Sequence, residues 1–283
     1  MKKFLMIIFC IIFLVGCNKK EDTSKEKTIE EVEYLSSQII DILNDMNNIN
    51  INKHTLASEK IDLKESKSDS QESSNSESSS DESKENKTPD VGKGEVDITN
   101  LQMESTLQTD TENVDWEKVK NKIEILNNSW SIIRLDLAYT NVIEDDIENF
   151  SSLLNQSIIE INNENKKNVL ENLGKLYSYI PTFLSSCYAN KNTQEIQNSK
   201  LEIITAYILI TNTEEWDRAS EHMNNAETSF RNIMNDKEYS KGKESKLNKI
   251  YALIKDTQNS TTTQSKPVFY MNYTDLISNI NKL

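Results

Sequence analysis

Glycine, proline and cysteine are all scarce in this chain: five Gly, three Pro and three Cys in 283 residues. So few turn-formers exclude an all-β fold of many short strands and leave long helices as the expectation. Arginine is as rare as proline and cysteine, with only Arg134, Arg218 and Arg231, while the formal net charge is -14. A phosphate-binding surface needs clustered Lys and Arg, so nucleic acid is excluded as a partner. The two histidines, His54 and His222, have Ile51 and Ala219 three residues before them, so the Glu-x-x-His turns of a di-iron bundle are missing. Zinc sites of the usual ligand set and Cys-His or Ser-His-acid nucleophiles lack their parts as well. Gly16, Gly92, Gly94, Gly174 and Gly242 form no phosphate-cradling loop. The chain is therefore read as no enzyme, with no catalytic, cofactor-binding or metal residue and no cofactor.

What is present begins at the first residue. Met1, Lys2 and Lys3 precede an apolar run from Phe4 to Val15, which has the order of a signal peptide and is too short to span a bilayer. The run ends in Leu14-Val15-Gly16-Cys17, which resembles the lipobox of bacterial lipoproteins. That resemblance covers residues 1–17. It implies removal of residues 1–16, lipidation of Cys17 and a position on the extracytoplasmic face of the cell membrane, and it implies no activity. Losing two lysines and no acid would take the net charge from -14 to -16. An anionic bilayer repels such a chain, so the acyl chains must hold it, at about 0.8 kcal/mol per buried methylene. Cys10 would leave with the signal peptide, leaving Cys187 without an intrachain partner. Leu184 and Tyr188 flank it at helical spacing, which favours a core residue over a reactive thiol or an interchain link.

Residues 17–27 read as a charged tether. In segment 28–53, Val32, Leu35, Ile39, Ile42, Met46 and Ile49 alternate steps of three and four, a narrow stripe of coiled-coil type. Residues 54–113 show no such pattern. Ten serines stand among the acids and lysines of 66–83, a composition that buries too little apolar surface to offset its ordering entropy. The expectation is a disordered linker whose excision costs little.

From Asp115 onward the apolar periodicity is helical. Helices are expected at 116–137 with Asp115 as N-cap, at about 143–161, at about 166–180 with Pro181 marking the end, and at about 193–210. Shifting the chain by 100 residues superposes three consecutive stripes without a gap. Trp116, Ile123, Leu126 and Trp130 fall on Trp216, Met223, Ala226 and Phe230; Phe150 and Leu154 fall on Ile250 and Ile254; Val169, Leu173, Leu176 and Ile180 fall on Phe269, Tyr273, Leu276 and Ile280. At a different shift Val32, Ile39, Ile40, Leu43 and Met46 match Ile196, Ile203, Ile204, Tyr207 and Ile210. The fold class is thus all-α, two tandem helical-bundle repeats at 114–190 and 191–283, with a long disordered insertion. Helix 28–53 is either the first helix of a four-helix repeat one or a free membrane-proximal helix on a stalk. The register also predicts that Trp116 and Trp216 are equivalent and largely buried.

Leu173-Gly174 with Tyr177, and Ala226 with Phe230, resemble the Leu-Gly-x-x-Tyr and Ala-x-x-x-Phe signatures of tetratricopeptide repeats. The period of 100 departs from the 34 of that family, and about fifty residues separate the signatures. The mature part is similar to Asn-, Lys- and Ile-rich helical lipoproteins of low-GC Gram-positive bacteria, a resemblance that implies location only. Glu144, Asp145, Asp146 and Glu148 sit where a helix begins and offset its positive end, against the alternative of a cation site. The expected function is a lipid-anchored helical binding or scaffolding module with an unidentified protein partner. The alternatives are a ligand-binding lipoprotein of a transport system, which needs a deep pocket between the repeats, and an envelope or sporulation assembly factor.

Overall fold

The structure is a computed structural model that describes residues 25–49 and 113–283. The apolar run read as a signal peptide, Cys17, most of the segment read as a tether and the Ser-rich segment lie outside the described residues. The described residues belong to one compact unit and contain helices without strands. In chain order these are α1 (25–45), α2 (Trp116–Leu137), α3 (Glu144–Asn162), α4 (Lys166–Ser186), α5 (Lys191–Asn212), α6 (Trp216–Asn235), α7 (Lys237–Ser240), α8 (Glu244–Thr263) and α9 (Lys266–Ile280).

Three of the long helices, α2, α4 and α5, start at a side-chain cap. Asp115 accepts from the backbone N–H of Lys118 at 3.0 Å, Asn165 from Asn168 at 3.3 Å and Asn190 from Thr193 at 2.9 Å. The stops repeat with the sequence period. Glu164 at φ 55° and Gln264 at φ 51° are both left-handed and end α3 and α8.

The shift of 100 holds through the last three long helices of each unit. Helices α2 and α6 begin at Trp116 and Trp216, α3 and α8 at Glu144 and Glu244, α4 and α9 at Lys166 and Lys266. Their buried sets coincide: Val119, Ile123, Leu126, Trp130 and Ile133 against Ala219, Met223, Ala226, Phe230 and Ile233. In the third pair all six of Val169, Leu170, Leu173, Leu176, Tyr177 and Ile180 are buried, as are the six residues 100 positions later. The short α7 stands in repeat two where repeat one has only the turn after Leu137.

Helix α1 belongs to this body and is not a free stalk. Val32, Leu35, Ile39, Ile40, Ile42, Leu43 and Met46 are fully buried. It runs parallel to α5, since Ser36 bonds Gln197 near one end and Asn47 bonds Thr211 near the other. Each repeat is therefore four long helices, α1–α4 and α5, α6, α8, α9.

Two expectations are corrected. Pro181 does not end α4, which runs on to Ser186. A proline inside a helix costs about 3 kcal/mol, but continuing the helix buries Phe183, Leu184 and Cys187, and that burial outweighs it. The paired tryptophans are equivalent but only half-buried. Each is the first residue of its helix, so its ring closes the end of the core instead of entering it; Trp216 meets Phe269 edge-on at 6.5 Å. Trp130 is the buried indole, 3% exposed, tilted 37° against Phe150 with ring centroids 4.2 Å apart and donating to Ser151 at 2.9 Å. We expect Trp116→Ala and Trp216→Ala to destabilise by similar amounts, about 2 kcal/mol each, against about 3–5 kcal/mol for Trp130→Ala. Denaturant titration checks the ranking, and a Trp116 cost equal to that of Trp130 would refute it.

Candidate functional site

The two repeats meet along a seam made by α1 and α5, bridged by α4 on one side and α9 on the other. The Tyr177 hydroxyl on α4 donates to Gln197 Oε1 at 2.6 Å, and Ser36 Oγ lies 2.9 Å from that hydroxyl. On α9, Tyr273 donates to Asn44 Oδ1 at 3.1 Å and the Tyr270 hydroxyl lies 3.1 Å from Thr211 Oγ1. Between them Tyr207 accepts from Asn47 Nδ2, donates to the Leu43 carbonyl at 3.2 Å and stacks on Tyr273 at 4.4 Å. Gly174 makes the close approach of α4 to α5 practicable, because a Cβ there would lie 2.5 Å from Ile208 Cδ1.

Burial sets the electrostatics of the seam. It holds the phenols of Tyr177, Tyr207 and Tyr273 above the ordinary tyrosine range, so all three are neutral donors at physiological pH. Lys200 on α5 is 7% exposed, and burial pulls its ammonium down to about 8 against the opposing pull of the Glu33 carboxylate. Burial likewise raises Glu33, with Lys200 working the other way. Asn44 Nδ2 and Asn47 Oδ1 are buried without a hydrogen-bond partner among the described residues. Chemically the seam offers neutral donors and acceptors that fix how the repeats register.

Around the seam lie surface ion pairs. Lys118 and Lys122 on α2 clasp the Asp45 carboxylate, 8% exposed, at 2.8 and 2.6 Å. This offsets an acid placed at the negative end of α1. Lys27 meets Asp136 at 2.7 Å and Glu31 at 3.1 Å; hydrogen bonding to Lys27 lowers Asp136, while burial raises Glu31. Glu227 collects Lys255 and Tyr251, both at 2.8 Å, and hydrogen bonding to Lys255 holds it below the carboxylate range. A depression of about 460 Å³ beside Trp216 and Arg218 is open to solvent and lined also by Glu214, Glu215, Asp217 and Gln264.

Cys17 lies outside the described residues. Cys187 is 1% exposed and free, and burial raises its thiol, so it sits as a small core residue. Glu144, Asp145 and Asp146 occupy the first turn of α3. Among the described residues no group of three or more His, Cys, Asp or Glu is placed to hold a metal ion, and no helix is long and apolar enough to cross a membrane. Sequence reasoning missed the polar members of the seam, Ser36, Asn44, Asn47, Gln197 and Lys200. The only available signal was their position beside matched apolar pairs in the two repeats.

The repeats differ on their outer faces. Ile125, Ile132 and Leu135 on α2 are 52%, 62% and 58% exposed. One period later stand Asn225, Asn232 and Asn235, exposed as well. No protein-family model, curated protein or solved structure matches this chain.

Proposed function

We propose that this chain is a lipid-anchored extracytoplasmic module that binds a protein partner through the outer face of α2. The observation that carries this reading is the asymmetry between repeats. At three positions where the fold tolerates asparagine, repeat one exposes Ile125, Ile132 and Leu135. Their spacing of seven and three lays them along one side of α2, the pattern that an amphipathic partner helix recognises. The anchor rests on the lipobox resemblance at Leu14–Cys17. The transport-protein alternative needs a cavity between the repeats, and there the described residues place Tyr177, Tyr207 and Tyr273 with no exposure.

Two measurements test the reading. Cys17→Ala should move the protein from the membrane to the soluble fraction, and equal partitioning of variant and parent would refute the anchor. A photo-crosslinking residue at position 132 should give a discrete adduct in intact cells, one that disappears in Ile125→Asn/Leu135→Asn. The same residue at 232 should give none. Identical patterns at 132 and 232 would refute the binding face.

A further inference from the structure

The start of α1 shares one end of the bundle with the ends of α2, α4, α6 and α9. Lys25 Nζ lies 5.3 Å from the centroid of the Tyr188 ring beyond α4, and Lys27 meets Asp136 at the end of α2. Because α5 is parallel to α1, its start is at this end too, and Asn192 there donates to Asp236 after α6 at 2.8 Å. Lys246 in the first turn of α8 donates to the carbonyl of Lys282 after α9.

This end has a distinctive surface. Tyr139, Ile143 and Tyr188 are 89%, 65% and 68% exposed, and Asn141 donates to the Tyr188 hydroxyl at 2.7 Å, joining their two loops. On the repeat-two side, residues 237–246 carry four lysines and two glutamates. Lys243 Nζ lies 3.7 Å from the Tyr239 ring centroid. The Lys246 ammonium is held below the usual lysine range by burial and by the charges of Lys243 and Lys282, so these three cations crowd one another. The acids of the same end are distributed: Asp136 is paired with Lys27, Asp236 accepts from Asn192 and caps α7, Glu238 and Glu244 stand among the lysines, and Glu144, Asp145 and Asp146 sit at the positive terminus of α3, which offsets part of their charge.

We propose that this end of the bundle seats on an anionic phospholipid surface, with Lys243, Lys246 and Lys282 against headgroup phosphates and Tyr139, Ile143 and Tyr188 in the interfacial layer. The proposal rests on the anchored reading of Cys17. Seven residues lie between Cys17 and Lys25, eight Cα steps in all. Fully extended they reach about 28 Å, less than the length of α2 at about 33 Å, so the lysine-bearing end is the one an anchor holds beside the bilayer. The acidity of the whole chain predicts repulsion, but charges more than about 8 Å from the membrane are largely screened at physiological ionic strength; within reach on the repeat-two side, Lys237, Lys241, Lys243, Lys246 and Lys282 outnumber Asp236, Glu238 and Glu244. Tyrosine, with an apolar ring and a polar tip, suits the interface.

The test separates surface from anchor by using the mature full chain with Cys17→Ala. It should sediment with vesicles of phosphatidylglycerol and phosphatidylcholine but not with phosphatidylcholine alone, and raised salt should release it. Reversing Lys243, Lys246 and Lys282 to Glu should weaken this binding about tenfold or more, whereas Lys120→Glu/Lys167→Glu at the other end should leave it unchanged. Unchanged melting of each variant shows that the fold is kept. In the acylated parent on the same vesicles, hydrogen exchange should slow at 139–143 and 237–246 relative to detergent. Equal binding to both vesicle types, equal losses from the two sets of reversals, or unaltered exchange would overturn the proposal and leave the anchor standing. A parent without an acyl group would remove the anchor, and the vesicle comparison would still read the surface.

Discussion

A chain from which residues 25–49 have been deleted should show no cooperative thermal transition. Seven α1 side chains, from Val32 to Met46, are fully buried against the rest of the molecule. At about 1.5–3 kcal/mol apiece their burial amounts to on the order of 10–20 kcal/mol, as large as the whole net stability of a domain, about 5–15 kcal/mol. The deletion also uncovers Tyr177, Tyr207 and Tyr273, whose hydroxyls bond to Ser36, Asn47 and Asn44. Circular dichroism should report retained helix with a broad melt, dye binding should reveal exposed apolar surface, and a peptide of residues 25–49 added in trans should restore the transition. Ile39→Ala alone should cost about 2–5 kcal/mol. A sharp melt within a few degrees of the parent would show that α1 is a bystander.

Replacing Lys200 by Met should stabilise the protein at neutral pH and flatten its alkaline stability profile. The folded pKa of about 8 lies below the unfolded value of 10.5, so the lysine binds its proton less tightly when folded. Below pH 8 it is charged in both states, and the folded chain carries the full burial penalty, on the order of 3 kcal/mol. Between about pH 8 and 10.5 the unfolded chain holds more protons than the folded one, so stability rises with pH and the penalty disappears. Lys200→Met should therefore raise the melting temperature by about 5–10 °C at pH 7 and by little at pH 10.5. A difference between the two proteins that is constant across this range would rule out the lysine as its source.

Much of the fold was legible because the apolar stripes report which face of each helix is inside. The gapless shift from Trp116 to Ile180 gave the equivalence of α2–α4 with α6, α8 and α9 before any contact was known. Two things were not legible. Whether α1 packs depends on contacts with residues more than a hundred positions away, such as Tyr177 and Tyr273. Its stripe looked narrow because its second buried side mixes Ile40 and Leu43 with polar groups: Ser36, Asn44 and the following Asn47 face partners, and a hydrophobicity pattern reads them as solvent-facing. Pro181 misled for a different reason. A local rule ends the helix there, and the tertiary burial of Phe183 and Leu184 overrides it. The candidate binding face was hidden in the same repeat that revealed the fold. The asparagines of α6 are ordinary, and the exposed isoleucines of α2 become conspicuous only once the two helices are known to be equivalent.

Asn48 Nδ2 donates to the Asn113 carbonyl at 2.6 Å, so the chain leaves the body after α1 and re-enters it at almost the same point. A protease that cuts anywhere in residues 50–112 therefore severs the covalent path between α1 and the remaining helices without separating them. The two fragments stay interlocked by the seven buried side chains of α1 and the tyrosine bonds of the seam. For a chain held at Cys17, such a cut sheds nothing from the cell surface. Were the chain held there, release of the body would be governed by the few residues between Cys17 and Lys25, where a single nick would free all of it at once.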